Sequence, residues 1–402
     1  MSNGRNDVRR LFATRIIRLF AYGCISLILF IYLSQLGFGD RPIGLLLSMT
    51  LLGDTVISLW LTTSADRLGR KRVLIAGAGL MVLGGLVFAW TGNFWILLAA
   101  ATVGVISPSG NEVGPFLAVE QAALAQTVAA ETRTWIFAWY NLVGSLATAS
   151  GSLACGYLLQ GLARGHAPTV ENYRIVLYAY AFFGALLAFV FAGLSRASEA
   201  GPIAQGFSRF LGLHRSRKVV LRLSALFALD AFAGGLIIQS LIAFWFHERF
   251  GAEPRTLGAI FFGANLLAGI SALAAAAIAR RIGLLNTMVF THVPSNGLLI
   301  LIPFMPTLES AVAILFLRFS ISQMDVPARQ SYTAALVSPD ERSAASGITG
   351  VARTIGAAAS PAVAGVLLST PGLEGAPFIA AGILKLVYDG LLYLSFRRVT
   401  VQ

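Results

Sequence analysis

Twelve runs of apolar residues follow one another along this chain, and most are long enough to cross a bilayer as a helix. One crossing takes about 20 apolar residues. The runs fall near 11–38, 42–65, 72–91, 94–121, 133–160 and 173–195. After a polar stretch they resume near 219–247, 255–279, 282–303, 308–330, 340–369 and 375–396. Lipid offers the backbone no hydrogen-bond partners, so each run is expected to be helical. Charge is scarce to match: 12% of the 402 residues are Asp, Glu, Lys or Arg, where a soluble domain carries about 25%. That shortage excludes the soluble, disordered, collagen-like and disulfide-rich secreted classes. The expected fold is an all-α polytopic membrane protein of 12 transmembrane helices in two six-helix bundles.

The net charge of +12 has a topological explanation. If the N-terminus is cytoplasmic, twenty of the 30 basic residues fall in cytoplasmic segments, five in outer loops and five within spans. Lys and Arg collect on the inner side of a membrane. Both termini are therefore expected in the cytoplasm, in the plasma (bacterial inner) membrane. No basic stripe interleaved with exposed aromatics suggests nucleic acid. Cys24 and Cys155 lie in apolar runs and read as packing residues. The N-terminal MSNGRNDVRR shows no cleavage site, and the first run is too long for a signal-peptide core, so it is expected to remain as a span.

The two halves repeat. A shift of 209 places Gln121 on Gln330, Glu131 on Asp340, Arg133 on Arg342 and Gly156 on Gly365. A shift of 214 places Ala65 to Gly69 on Ala279 to Gly283. The expected domains are 1–195, a basic amphipathic linker over 196–218, and 219–402. Six spans duplicated in the same orientation form a transporter architecture whose site lies between the halves at mid-membrane.

Between spans two and three stands Ser64-Ala65-Asp66-Arg67-Leu68-Gly69-Arg70-Lys71-Arg72. This resembles the signature loop of the major facilitator superfamily, G-x-L-a-D-r-x-G-r-k, in its expected place. Thr62 stands where the first glycine is usual, and the second copy lacks its acid and its basic pair. The resemblance implies a transporter that rocks two helix bundles. It also implies that Asp66, with Arg70 as charged partner and Arg67, Gly69 and Lys71 around it, grips the start of span eleven and holds a cytoplasmic gate shut. Ser338-Pro339-Asp340-Glu341 reads as a capping box at that start.

Ionisable groups inside spans are costly and are functional candidates by default. Asp54, Glu112 and Asp230 lie deep by count, and Glu120 is eight residues beyond Glu112 on one helix face. A carboxylate so placed can bind and release a proton, the chemistry that proton-coupled transport requires, or it can pair with another helix. Asp325, four residues before Arg329, reads as structural or gating. Lys385 and Asp389 are spaced to pair on one helix. Arg15 and Arg18 are close enough to the inner end to snorkel. Arg353, Arg318 and Arg15 are the candidates for clamping an anion.

Span four packs Pro108, Gly110, Gly114 and Pro115 around Asn111 and Glu112. Such a helix is expected to kink or unwind and to line a cavity. The superfamily often has an arginine earlier in this span, and none is present; the drug/proton pattern of span five is also incomplete. The histidines make no ligand pair, and no nucleotide or protease motif stands in context. No metal, cofactor or enzymatic activity is therefore expected. The favoured reading is a monomer that exports a small molecule against protons. The alternatives are an importer or facilitator of an organic anion, and a non-transporting membrane sensor.

Overall fold

The computed structural model describes residues 2–128, 130–195, 198–199, 216–338 and 341–398. The side chains of 2–5, 66, 130–134, 276 and 343 lie outside that description. Among the described residues the regular elements are all helical. They are α1 (Ser2–Gln35), α2 (Asp40–Leu68), α3 (Arg70–Trp90), α4 (Phe94–Val103), α5 (Phe116–Thr127), α6 (Ala130–Ala163) and α7 (Val170–Ala192). After them come α8 (Arg217–Gly235), α9 (Gln239–Phe250), α10 (Pro254–Ile282), α11 (Leu284–Leu301), α12 (Leu308–Phe319), α13 (Asp325–Ala335), α14 (Arg342–Leu368) and α15 (Ala376–Phe396).

Ten stretches among the described residues are long and apolar enough to span a membrane, with α8 and α9 together forming one. Spans four and ten of the sequence reading are each broken in two, α4 from α5 and α12 from α13. The second piece starts at Phe116 in one and at Asp325 in the other, the same 209-residue offset as the sequence repeat. The break was expected for span four, where two prolines and two glycines fall within eight residues. It was not expected for span ten, whose sequence there, Ser320 to Met324, contains neither.

Helix starts follow local chemistry. Asn93 accepts from the Trp95 and Ile96 N–H groups, at 3.0 and 3.3 Å, and so caps α4. Thr169 with Asn172 forms a capping box at α7, and Thr307 with Ser310 forms one at α12. At α14 the expectation is corrected. The helix begins at Arg342 with Glu341 at the cap, and no side chain caps it. Glu341 instead accepts from the Ser216 N–H at 3.0 Å, at the head of α8. Pro339 and Asp340 lie outside the described residues, as does nearly all of the 196–218 linker.

The described helices pack as two compact units, Met1–Gln205 with Gln239–Phe262, and Gly206–Ile238 with Gly263–Gln402. Residues 239–262, placed by chain order in the second half, belong to the first unit. There α1 packs against α6, α7 and α9, with Phe30 stacked on Phe244 at 4.3 Å. Gln239 is buried and donates to Ser26 at 2.9 Å and Ser152 at 3.1 Å. In the second unit α8 packs on α14 and α15, and α11 packs on α15 and α13.

Candidate functional site

In the first unit the chain unwinds over 104–115, and several of its freed carbonyls find donors. Val105 accepts from the Tyr180 hydroxyl at 2.8 Å and Val113 from the Tyr22 hydroxyl at 3.1 Å. Pro108 accepts from the Ser240 N–H at 3.1 Å, and Asn111 from the Ser107 hydroxyl at 2.7 Å. Broken backbone at membrane depth persists only with such partners. The unwinding turns Glu112 toward α1, while Asn111 is left exposed.

Arg18 is fully buried and grips both acids of span four. Its nitrogens donate to Glu112 at 3.1 Å and to Glu120 at 2.8 and 2.7 Å. Arg15 pairs with Glu112 and also donates to the Tyr140 carbonyl at 2.7 Å. Thr14 donates to Glu120 at 2.8 Å, and Tyr140 donates to the same carboxylate. Snorkelling is thus corrected: Arg15 is 5% exposed and Arg18 0%. Two arginines meet two glutamates, so the charge is balanced, and Arg15 is not free to clamp an anion.

Asp54 on α2 stands apart. Its carboxylate accepts from the Gly114 N–H at 2.5 Å and from the Ser58 hydroxyl at 3.0 Å. Gly114 has φ +81°, a conformation that other residues rarely hold, and this presents the N–H. No ion pair reaches Asp54 among the described residues.

The second unit builds a larger cluster. Asp230 on α8 takes Lys385 of α15 at 2.6 Å and Arg329 of α13 at 3.1 Å. Arg329 also pairs with Asp325 at 3.0 Å, as its four-residue spacing allows. The expected Lys385–Asp389 pair is not formed. Asp389 instead faces α11, where it accepts from Asn296 at 2.9 Å and meets His292 Nδ1 at 2.8 Å. A carboxylate opposite Nδ1 calls for the proton on that nitrogen. His292 and Asn296 were missed. Their signal was a His and an Asn four residues apart, and so on one face of a helix that carries no Asp, Glu, Lys or Arg. Arg318 and Arg353 have Asp230 and Asp325 as charged neighbours, but neither forms an ion pair among the described residues. No three His, Cys, Asp or Glu side chains among the described residues are arranged to hold a metal ion.

The signature loop is partly described. Gly69 has φ +98° and makes the turn between α2 and α3. The Arg70 and Lys71 N–H groups donate to Glu199 at 2.7 and 3.2 Å. An acid at a helix N-terminus also meets the positive end of its dipole. Arg70 donates to Gln126 at 2.8 Å, Lys71 donates to the Ala192 carbonyl, and Arg67 is exposed. The Asp66 side chain lies outside the described residues.

Residues 11–324 match the Major Facilitator Superfamily. The chain belongs to that family. This facilitator is 30% identical to an uncharacterized membrane protein of Saccharomyces cerevisiae, over 97% of this chain and 94% of the yeast protein. Among solved structures it shares its fold with a mutant of the nucleoside transporter NupG, at TM-score 0.79 and 15% identity, covering 97% and 100% of the two chains. A bacterial homolog of the human lysosomal transporter Spinster gives 0.74 at 14% identity, covering 98% and 97%. The human organic anion transporter TETRAN gives 0.64 at 20%, covering 97% and 99%. The fold is that of membrane transporters.

Proposed function

We propose that this facilitator exports a small molecule from the cell, driven by inward proton flow, by exposing its site alternately to the two sides of the membrane. Both termini lie in the cytoplasm of this reading, and the working unit is a monomer. One observation carries the coupling: Asp54 is a carboxylate in a span with two hydrogen-bond donors and no ion-pair partner among the described residues. An ionised group at the bilayer centre costs about 2.5–3.5 kcal/mol on insertion scales, so a proton is its natural partner. Glu112 and Glu120 suit that role less, because Arg15 and Arg18 already neutralise them.

Asp54 hydrogen-bonds the backbone of the unwound segment at Gly114. Protonation removes the acceptor charge from that contact and so alters the support of span four. A proton thereby reaches the segment that carries Glu112 and Asn111. Reconstitution into liposomes with an imposed pH gradient tests this, with solute flux followed beside an internal pH dye. Wild type is expected to move solute out against protons, and Asp54→Asn to lose the pH-driven component. Full pH-driven flux in Asp54→Asn would overturn the coupling assignment. Uptake alongside protons would overturn the export direction.

A further inference from the structure

Arginine within the spans is balanced in one repeat and unbalanced in the other. The 209-residue offset that aligns α5 with α13 also places Gly144 on Arg353, Arg15 on Ser224 and Glu112 on Ile321. In the first unit Arg15 of α1 fills the space that Gly144 of α6 leaves open; a Cβ on Gly144 would stand 2.6 Å from the Arg15 Nε. Glu112 answers its charge. In the second unit the arginine moves to the other helix of the equivalent pair, as Arg353 on α14. The position matching Glu112 is Ile321, so the counter-charge is gone.

The neighbouring acids do not replace it. Asp230 is occupied by Lys385 and Arg329, and Asp325 by Arg329. Arg318 adds a second unanswered cation. It is 8% exposed, its Nε is buried without a partner, and it lies 5.1 Å over the Phe319 ring. In the spans of this unit Lys385, Arg318, Arg329 and Arg353 stand against Asp230, Asp325 and Asp389, four basic side chains to three acidic, with His292 2.8 Å from Asp389 and 3.9 Å from Asp230. The hydroxyls of Ser224 on α8 and Ser322 in the span-ten break are also buried without partners. Buried polar groups of native proteins are rarely left so.

We infer that Arg353 holds the negative group of the transported molecule, a carboxylate or phosphate on a small organic anion. Guanidinium matches both groups with paired N–H donors, and the contact strengthens away from water. The bound anion offsets this surplus of positive charge while it is carried. This rests on the transport reading above and adds the substrate class to it.

The test is ligand stabilisation of the full chain in detergent, read as the melting temperature against concentration. The probes are benzoate, citrate and inorganic phosphate, with uridine as the uncharged control and phosphatidylglycerol vesicles as the lipid arm. At least one soluble anion is expected to raise the midpoint, with uridine inert. Arg353→Gln should weaken that anion about tenfold or more, and Arg353→Lys should retain part of the effect. Ile321→Glu restores the acid found in the first repeat and should abolish the anion shift in a chain that still folds. Stabilisation by uridine alone, or by phosphatidylglycerol alone, overturns the inference. So does an anion shift untouched by both Arg353→Gln and Ile321→Glu. Arg353-dependent anion binding without flux in liposomes would instead overturn the transport reading and leave the site standing. Flux of an uncharged solute without anion binding would do the reverse.

Discussion

Lys385 Nζ lies 2.6 Å from Asp230 Oδ1, joining α15 to α8, and passes over Asp389 four residues along its own helix. The partner chosen is the more deeply shared one. Asp230 also receives Arg329, so one carboxylate ties three helices of the second unit together. Removing one side of a buried pair strands the other and costs about 3–5 kcal/mol. Lys385→Met should lose somewhat less, because Arg329 still neutralises Asp230. Asp230→Asn, which strands Lys385 and leaves Arg329 with Asp325 alone, should lose more. Thermal melting of the purified variants checks the order; equal melting temperatures would contradict it.

The Glu120 carboxylate collects Arg18, Thr14 and Tyr140. Tyr140→Phe removes one neutral donor and should cost about 1 kcal/mol. Glu120→Gln leaves Arg18 with Glu112 alone, to be shared with Arg15, and should cost several times more. Denaturation in detergent distinguishes the two. A Tyr140→Phe loss as large as that of Glu120→Gln would place the strength in the hydroxyl and not in the ion pair.

Gly114 holds φ +81° so that its N–H can meet Asp54. A Cβ there would stand 2.9 Å from the Phe116 ring. Gly114→Ala should therefore destabilise by about 1–3 kcal/mol and impair coupling as Asp54→Asn does. Normal pH-driven flux in Gly114→Ala would separate the glycine from the proton path.

Asp66 retains the role that its signature loop implies. Asp66→Asn should cut turnover strongly while the protein still inserts and melts normally. Turnover is measured in liposomes, and insertion by membrane yield. Wild-type turnover in Asp66→Asn would refute the gate.

Much of the architecture could be read from the residues alone, because lipid is an unforgiving solvent. Apolar runs of span length had to become helices, and Gly69 and its neighbours had to make a tight basic turn. The unwinding of span four was legible too, since Pro108 and Pro115 each remove a backbone donor and Gly110 and Gly114 weaken the helix between them. The break in span ten was not expected, for Ser320 to Met324 hold neither proline nor glycine, and the one local signal is Pro327, which removes a hydrogen bond to the Gln323 carbonyl.

Which charges answer one another was beyond the sequence. Arg15 and Arg18 looked like snorkelling residues, since their acids lie about a hundred positions away. Lys385 and Asp389 looked like a pair, since only the helix they share is visible in one dimension. Composition and periodicity determine which segments enter the membrane, as each segment meets lipid by itself. Pairing is decided by which helix faces touch, a property of the packed helices. Asp54 without an ion-pair partner among the described residues, and Arg353 without its acid, emerged only at that level.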